Sequence, residues 1–461
     1  MALPLVVEGE PPASPSTRQE KRAWYWYDWA NSAFYTIVVT TFLGPYLTSI
    51  AERAAGCPDD ACPKDATIGV LGFDIAPGSL FPYTASLSVF LTVFVLPVMG
   101  AVADRSYHKK ELMAGAAYLG SAATVAFLFL SGERYMLGAA LFLVANIAYG
   151  ASIVVYHSFL PQLSNAEERD HVSSVGWAFG YLGGGTLLAL NVAAVLFKDS
   201  LGMTTGEVAK WSLVSAGVWW AGFTTIPLIG LKNRPPAADL DRPTGHVLTD
   251  GFKQLWETVR SLRAYPLTLF FLAAYLIYND GIQTVITMSS TYADKQLGLD
   301  DDVLVPTILM VQFLAFFGAL GLGALAKRIG AWKALLISLG LWIVVVLCAF
   351  FLPDKQVVPF VALGGGIGLV LGGSQALSRS LFSQLIPKGR EGEYFGLYEI
   401  SDKGTSWLGP LLFGLAYDIT RSYRVAIFSL LVFFVVGMVL LFLVPMRRAI
   451  EAAGNTPPSR L

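Results

Sequence analysis

The 461-residue chain is 54% hydrophobic and only 14% charged, with a mean hydropathy of +0.57 and a formal net charge of −1. A soluble domain carries roughly 25% charged residues, so this composition excludes an ordinary water-soluble protein and indicates one that lives in lipid. The near-zero charge also excludes the concentrated basic surface that a nucleic-acid partner requires.

Residues 1–22 read as a cytoplasmic tail, and residues 1–20 hold Pro, Glu and Ser with no apolar core before a small-residue cleavage site, so no cleavable signal peptide is expected. Six apolar stretches follow at 23–50, 80–103, 111–131, 135–163, 172–197 and 209–231. Six more lie at 266–292, 303–326, 332–352, 357–386, 393–420 and 423–445. Each has about 20 residues or more, enough to cross a hydrocarbon core about 30 Å thick. Lipid cannot satisfy backbone polar groups, so these stretches must be helices. The expected fold is an all-α integral membrane protein of twelve transmembrane helices in two six-helix pseudo-symmetric bundles, 23–231 and 266–445. Residues 232–265 connect the bundles and residues 446–461 form a second cytoplasmic tail.

The two halves match. Gly100-x-x-x-Asp104-Arg105 recurs as Gly323-x-x-x-Lys327-Arg328, and Ser158-x-x-x-Gln162-Leu163 recurs as Ser380-x-x-x-Gln384-Leu385. Both pairs are about 220 positions apart, and two independent landmarks at one offset indicate a duplicated unit. Duplicated units of about six helices are the plan of many secondary transporters. Most Lys and Arg fall in the connections on one side, which puts both termini in the cytoplasm. On the other side, 51–79 is an external loop with Cys57 and Cys62, for which a disulfide and two free thiols are both open. In the central connection, Leu248, Phe252, Leu255, Trp256, Val259 and Leu262 share one helical face, predicting an amphipathic helix on the inner membrane surface.

Gly100-x-x-x-Asp104-Arg105, followed by Lys109 and Lys110, resembles the loop motif between helices 2 and 3 of the major facilitator superfamily. Glycine permits close helix approach, and a carboxylate beside basic residues can form a breakable latch at the inner face. The gating candidates are therefore Gly100, Asp104 and Arg105, with Gly323 and Arg328 in the second copy, where Lys327 replaces the aspartate. A narrower resemblance lies in Tyr27-Asp28-Trp29-Ala30-Asn31-Ser32-Ala33-Phe34 of span 1 and Tyr278-Asn279-Asp280-Gly281 of span 7. Both are similar to signatures of the vacuole-effluxer-like, autophagy-linked branch of the superfamily and its bacterial relatives. That resemblance covers essentially the whole chain, and it implies export of amino acids from vacuoles in fungi. It also implies that the first and seventh helices line a central cavity.

Polar side chains in lipid are costly and usually face a cavity or a partner. Asp28, Asn31 and Tyr35 share one face of span 1, and Asn279 and Gln283 do the same in span 7. Asn31, Tyr35, Asn279 and Gln283 are accordingly candidate substrate contacts. Asp280 lies about 14 residues, roughly 21 Å, along its helix from Pro266. It is either a proton-coupling acid or a structural acid bonded to Asn31. Arg379 in span 10 corresponds by repeat to His157 in span 4, while Glu399, Asp402 and Lys403 open span 11. Charge neutrality favours pairing Arg379 and Lys403 with Glu399 and Asp402 as a salt-bridge gate, Lys403 then being a gating residue. Alternatively Arg379, with His157, holds a substrate carboxylate, and Glu399 and Asp402 join Asp280 as coupling acids.

Glycines recur every four residues at Gly176, Gly180 and Gly184 in span 5 and at Gly364, Gly368 and Gly372 in span 10, which allows tight packing. Gly180-Tyr181-Leu182-Gly183-Gly184-Gly185 resembles the superfamily's antiporter motif with Tyr181 in place of its proline. The sequence thus predicts a carrier of a small polar metabolite, an amino acid or similar, working by alternating access as a monomer. Proton coupling and uncoupled facilitation are both open, and the expected setting is a bacterial inner membrane with its lipids. No cofactor, metal, nucleic acid or enzymatic activity is expected. The rival expectation is a transport-inactive receptor or scaffold on a transporter fold.

Overall fold

The computed structural model describes residues 17–57, 63, 66–235, 264–299, 301–403, 408–420 and 422–461. The first half consists of α1 (Arg18–Ala54), α2 (Pro77–Arg105), α3 (Lys109–Phe129), α4 (Tyr135–Leu163), α5 (Arg169–Leu196) and α6 (Thr205–Gly230). The second consists of α7 (Pro266–Lys295), α8 (Asp301–Ile329), α9 (Ala331–Phe350), α10 (Val357–Gln384), α11 (Glu391–Lys403), α12 (Leu408–Thr420) and α13 (Tyr423–Leu443). Among the described residues eleven helices are long and apolar enough to cross a membrane. The remaining span is built from α11 and α12 together, which completes twelve. The sequence expects one helix over 393–420, and residues 404–407 between the two pieces lie outside the described residues.

Each half has its own hydrophobic core, one running from Trp24 to Leu231 and the other from Phe271 to Ile450. Trp342 stacks on Phe434 at 5.4 Å in the second, and Trp220 packs on Phe34 at 5.2 Å in the first. The glycine stripes mark the tightest crossings. Gly176, Gly180 and Gly184 of α5 face Asp28, Ser32 and Thr36 of α1, one turn apart on each helix, and a Cβ at Gly180 or Gly184 would lie 2.7 Å from a hydroxyl. Gly364, Gly368 and Gly372 of α10 face Thr307, Val311 and Ala315 of α8 in the same way. A Cβ at Gly372 would collide with the Ala315 carbonyl, whereas one at Gly340 of α9 meets nothing. Gly372→Val is therefore expected to cost about 3 kcal/mol by overpacking, and Gly340→Val almost nothing; thermal unfolding in detergent compares the two.

Residues Phe34–Phe42 within α1 are π-helical, as the Leu43 N–H to Val38 carbonyl bond shows. The run is β-branched and crowded, and the hydroxyls of Thr40 and Thr41 both donate to the Thr36 carbonyl, at 2.6 and 2.7 Å. Such stretches occur mostly at functional sites, and this one lies midway along α1. The expected external loop at 51–79 is more ordered than predicted. It contains a hairpin of β1 (Ile68–Val70) and β2 (Phe73–Ile75), in which Ile68 pairs with Ile75 and Val70 with Phe73. Leu71 and Gly72 both have positive φ at the turn, at 50° and 90°, as a two-residue turn between twisted strands requires. Cys57 is disulfide-bonded and Cys348 is a free thiol; Cys62 lies outside the described residues.

The predicted amphipathic helix of the central connection also lies outside the described residues. Its start is anchored: the Lys232 N–H and the Arg234 guanidinium donate to Glu20, and Asn233 Nδ2 donates to Glu111 at 2.6 Å. The expected second tail is folded as well, with α14 (Met446–Ala452) burying Met446, Ala449 and Ile450.

The two halves meet at the end that carries this connection, here the linker end. The polar contacts between them run from there to mid-depth, where Gln312 Nε2 of α8 donates to Thr36 Oγ1 of α1 at 3.3 Å. Beyond that depth, toward the hairpin end, no hydrogen bond or ion pair joins the halves among the described residues. Tyr35, one residue before Thr36, is 39% exposed although it lies at the centre of the bundle. The linker end is therefore closed, and the exposure of Tyr35 marks open space between the halves at mid-depth.

Candidate functional site

Between the halves, on the linker side of Tyr35, lies a buried charge network centred on Arg379. α10 places this side chain between the halves, where it is 0% exposed. Its Nε donates to Ser173 Oγ at 2.9 Å and its Nη2 to the Ser173 carbonyl at 2.7 Å, both on α5. Nη1 donates to Asp28 Oδ2 of α1 and lies the same 3.2 Å from His157 Nε2 of α4. The guanidinium also sits over the rings of Trp24 and Trp177, at 5.0 and 5.3 Å. Desolvated contacts of this kind contribute about 2 kcal/mol. Gly176 makes the room, because a Cβ there would lie 2.7 Å from Trp24, 2.8 Å from Asp28 and 3.0 Å from Arg379. Tyr156 completes the cage by donating to Asp28 Oδ2 at 2.6 Å.

The network assigns a tautomer to His157. A guanidinium only donates, so Nε2 must accept and the ring proton sits on Nδ1. Nδ1 lies 3.1 Å from Glu399 Oε1 of α11. Asp28, Arg379, His157 and Glu399 thus form one line across four helices and both halves. This differs from the pairing expected from local spacing: Arg379 is bound to Asp28 of the other half, 351 positions away, and not to Asp402. Neither is its guanidinium open to a substrate carboxylate in this conformation.

Asp402 belongs to a second cluster. Its Oδ1 accepts from Tyr275 at 2.7 Å and from Asn279 Nδ2 at 2.9 Å, while Asn279 Oδ1 accepts from Gln375 Nε2 at 3.0 Å. Asn279 thereby ties α7 to α10 and to the end of α11. Lys403 ends α11, and its side chain lies outside the described residues.

The remaining candidates are dispersed. Asp280 is 1% exposed, and neither of its oxygens has a hydrogen-bond partner among the described residues. The group beside it is the Gly409 backbone of α12. The alternative in which Asp280 bonds Asn31 is thereby corrected: Asn31 Nδ2 is buried without a partner, and the two residues lie on helices of different halves. Tyr35 stands beside Tyr149, with ring centroids 6.2 Å apart, and has Asp402 and Glu399 as its charged neighbours. Gln283 is half-buried two turns toward the hairpin end from Tyr275.

The first loop motif forms a cross-half contact at the linker end. Gly100 of α2 meets the Gly392 backbone of α11 with no room for a Cβ. Asp104 Oδ1 accepts from the Gly392 N–H at 2.8 Å and Oδ2 from the Glu393 N–H at 2.9 Å, which caps α11. Buried Lys109 stands 3.4 Å from the same carboxylate. Arg105 Nε, in contrast, has no partner among the described residues. In the second copy Gly323 admits Ser174 of α5 within 2.6 Å of a notional Cβ, and the Arg328 carbonyl accepts from Arg460. Sequence reasoning placed Asp28 on the polar face of span 1 but missed its partner, and it missed Trp24, Tyr156, Ser173, Trp177 and Gln375. The only signal that could have found them is their polarity or bulk at glycine-facing positions.

The chain matches the family described as "Vacuole effluxer Atg22 like" over residues 16–454. It is 30% identical over 438 residues to "Uncharacterized MFS-type transporter YxiO" of Bacillus subtilis, covering 93% of this chain and 95% of that protein. It is 25% identical over 571 aligned positions to "Autophagy-related protein 22-1" of Neosartorya fischeri, covering 96% and 93%. The fold is similar to that of the major facilitator superfamily proton:xylose symporter XylE, with a TM-score of 0.70 at 10% identity over 95% of this chain and 98% of that one. It is also similar to the human organic anion transporter MFSD10, with a TM-score of 0.62 at 16% identity over 94% and 100%. This multi-pass membrane protein is a transporter of the major facilitator type, and it belongs to the vacuole-effluxer Atg22-like family.

Proposed function

We propose that this protein carries a small polar metabolite, an amino acid or a close analogue, by alternating access between its two halves. One observation supports the reading above the others. The Arg379 network joins five helices of both halves on the linker side of Tyr35, where the halves are closed. The linker end, rich in Lys and Arg, faces the cytoplasm of a bacterial plasma membrane, so this conformation is closed toward the cytoplasm. The working unit is a monomer in lipid. Tyr35, Asn31, Asn279 and Gln283 hold the substrate through neutral hydrogen-bonding groups, and Arg379 serves as the gate that must release before the cytoplasmic side opens.

Proton coupling follows from the histidine tautomer. A proton added to His157 Nε2 would point at the Arg379 guanidinium, placing two donors and two positive charges face to face. A protonated His157 is therefore incompatible with the closed state, and Glu399, within 3.1 Å of the other nitrogen, is the group placed to pass the proton. Asp402 and Asp280 are the further acids on this route. The test is uptake of labelled neutral amino acids into proteoliposomes with and without an imposed pH gradient. Uphill accumulation by the parent is expected, with His157→Gln and Glu399→Gln retaining downhill flux but losing at least about ten-fold of the uphill component. Accumulation unchanged in both variants would remove the coupling role from this network. Asp280→Asn with unchanged pH dependence would remove it from Asp280.

A further inference from the structure

The duplicated loop motif is built asymmetrically. In the first copy Asp104 caps α11 of the opposite half. By repeat, the counterpart of that helix start is the start of α5, and the counterpart of Asp104 is Lys327. A lysine ammonium cannot accept an N–H, and α5 indeed begins at Glu168 with no side-chain cap. The second latch is therefore missing from its expected place.

Residues 453–461 occupy that place. After α14 the chain turns at Gly454, and Asn455 Nδ2 donates to the carbonyls of Gln384 and Ile386 at 2.9 and 2.7 Å, anchoring it on the second half. Pro458 is buried. The chain then reaches the first half, where the Ser459 N–H and hydroxyl donate to the two oxygens of Glu167 at 2.6 and 3.0 Å. It returns to the second half through Arg460 Nη1, which donates to the Arg328 carbonyl at 2.7 Å. Arg328 is the repeat counterpart of Arg105. The strap thus bridges the α4–α5 connection of one half and the α8–α9 turn of the other, at the closed linker end.

We infer that this carboxy-terminal strap replaces the missing second latch and holds the linker end closed until transport releases it. The inference rests on the alternating-access reading above. All of its cross-half bonds go to Glu167, which is exposed. Glu167→Ala removes them in the full-length chain with no change to any buried group, and a variant ending at Pro458 removes the whole contact while retaining the Asn455 anchor.

The experiment is a pair of spin-label distances in nanodiscs on a Cys348→Ser background. Labels at the exposed positions His108 and Lys388 report the linker end, and labels at the exposed positions Glu133 and Gln356 report the hairpin end. Both variants are expected to raise the ratio of long to short linker-end distances about five-fold or more, as the loss of two hydrogen bonds to a charged group implies. The hairpin-end distances should shorten in step. Unchanged populations in Glu167→Ala and in the shortened chain would overturn the strap. Linker-end lengthening with no change at the hairpin end would uphold the strap and instead contradict alternating access.

Discussion

Arg379→Met is expected to abolish transport and to lower the stability of the folded protein by about 3–5 kcal/mol, the cost of leaving one charge of a buried pair without its partner. Asp28 would remain beside Trp24, Tyr156 and Trp177 without the guanidinium it pairs with. Asp28→Asn should recover much of the stability in the double variant, because it removes the orphaned charge while keeping an acceptor for Tyr156. It should not recover transport, since the gate has no guanidinium. Arg379→Lys is the sharper case. One ammonium cannot serve Ser173, Asp28 and His157 from the positions of three guanidinium nitrogens, so the variant should fold but lose about ten-fold or more of the transport rate. Thermal unfolding in detergent and uptake in proteoliposomes separate the two effects. Wild-type stability in the single Arg379→Met variant would show that the network carries no net energy.

The second large effect is expected from Asp104→Ala. This carboxylate caps α11 through two backbone N–H groups and faces a lysine that is itself buried. Its loss strands Lys109 and two helix-terminal donors, a cost of about 3–5 kcal/mol. The two capping bonds cross between the halves and exist only while the linker end is closed, so their share of the cost falls on that state alone. The equilibrium should move toward the linker-open state by about ten-fold. Ser174 is buried against α8 in the closed state. A cysteine placed there should react with a thiol reagent far faster in Asp104→Ala than in the parent background. Asp104→Asn, which keeps one acceptor, should fall between them. Equal reaction rates would mean that the first motif anchors the loop without holding the halves.

The architecture was legible because the bilayer leaves few choices. Apolar length marks the spans, and glycines spaced by four mark the crossings, whose partners Asp28, Ser32 and Thr36 only the packing shows. The repeat also located Gly100 and Gly323 where the halves approach. What could not be read was the choice of partner. Arg379 stands 20 positions before Glu399 in the chain but pairs with Asp28, because α10 turns that face toward α1 and α5 of the other half. Local charge balance has no access to that packing. The same limit applies to Asn31 and Asp280, two polar groups of spans 1 and 7 that the packing does not bring together. The hairpin at 68–75 was hidden for another reason: a three-residue strand leaves no periodic trace. The strap escaped notice because its bonds run through an asparagine, a serine and backbone groups that carry no pattern.

Counterflow is the most direct test of a carrier that exposes one site to each side in turn. Proteoliposomes loaded with unlabelled neutral amino acids would be diluted into labelled ones, and internal label followed over time. The account predicts a transient overshoot above equilibrium, lost in Arg379→Met. Label that rises to equilibrium without overshoot, or none taken up by protein shown to be folded, would contradict an alternating carrier of this substrate class.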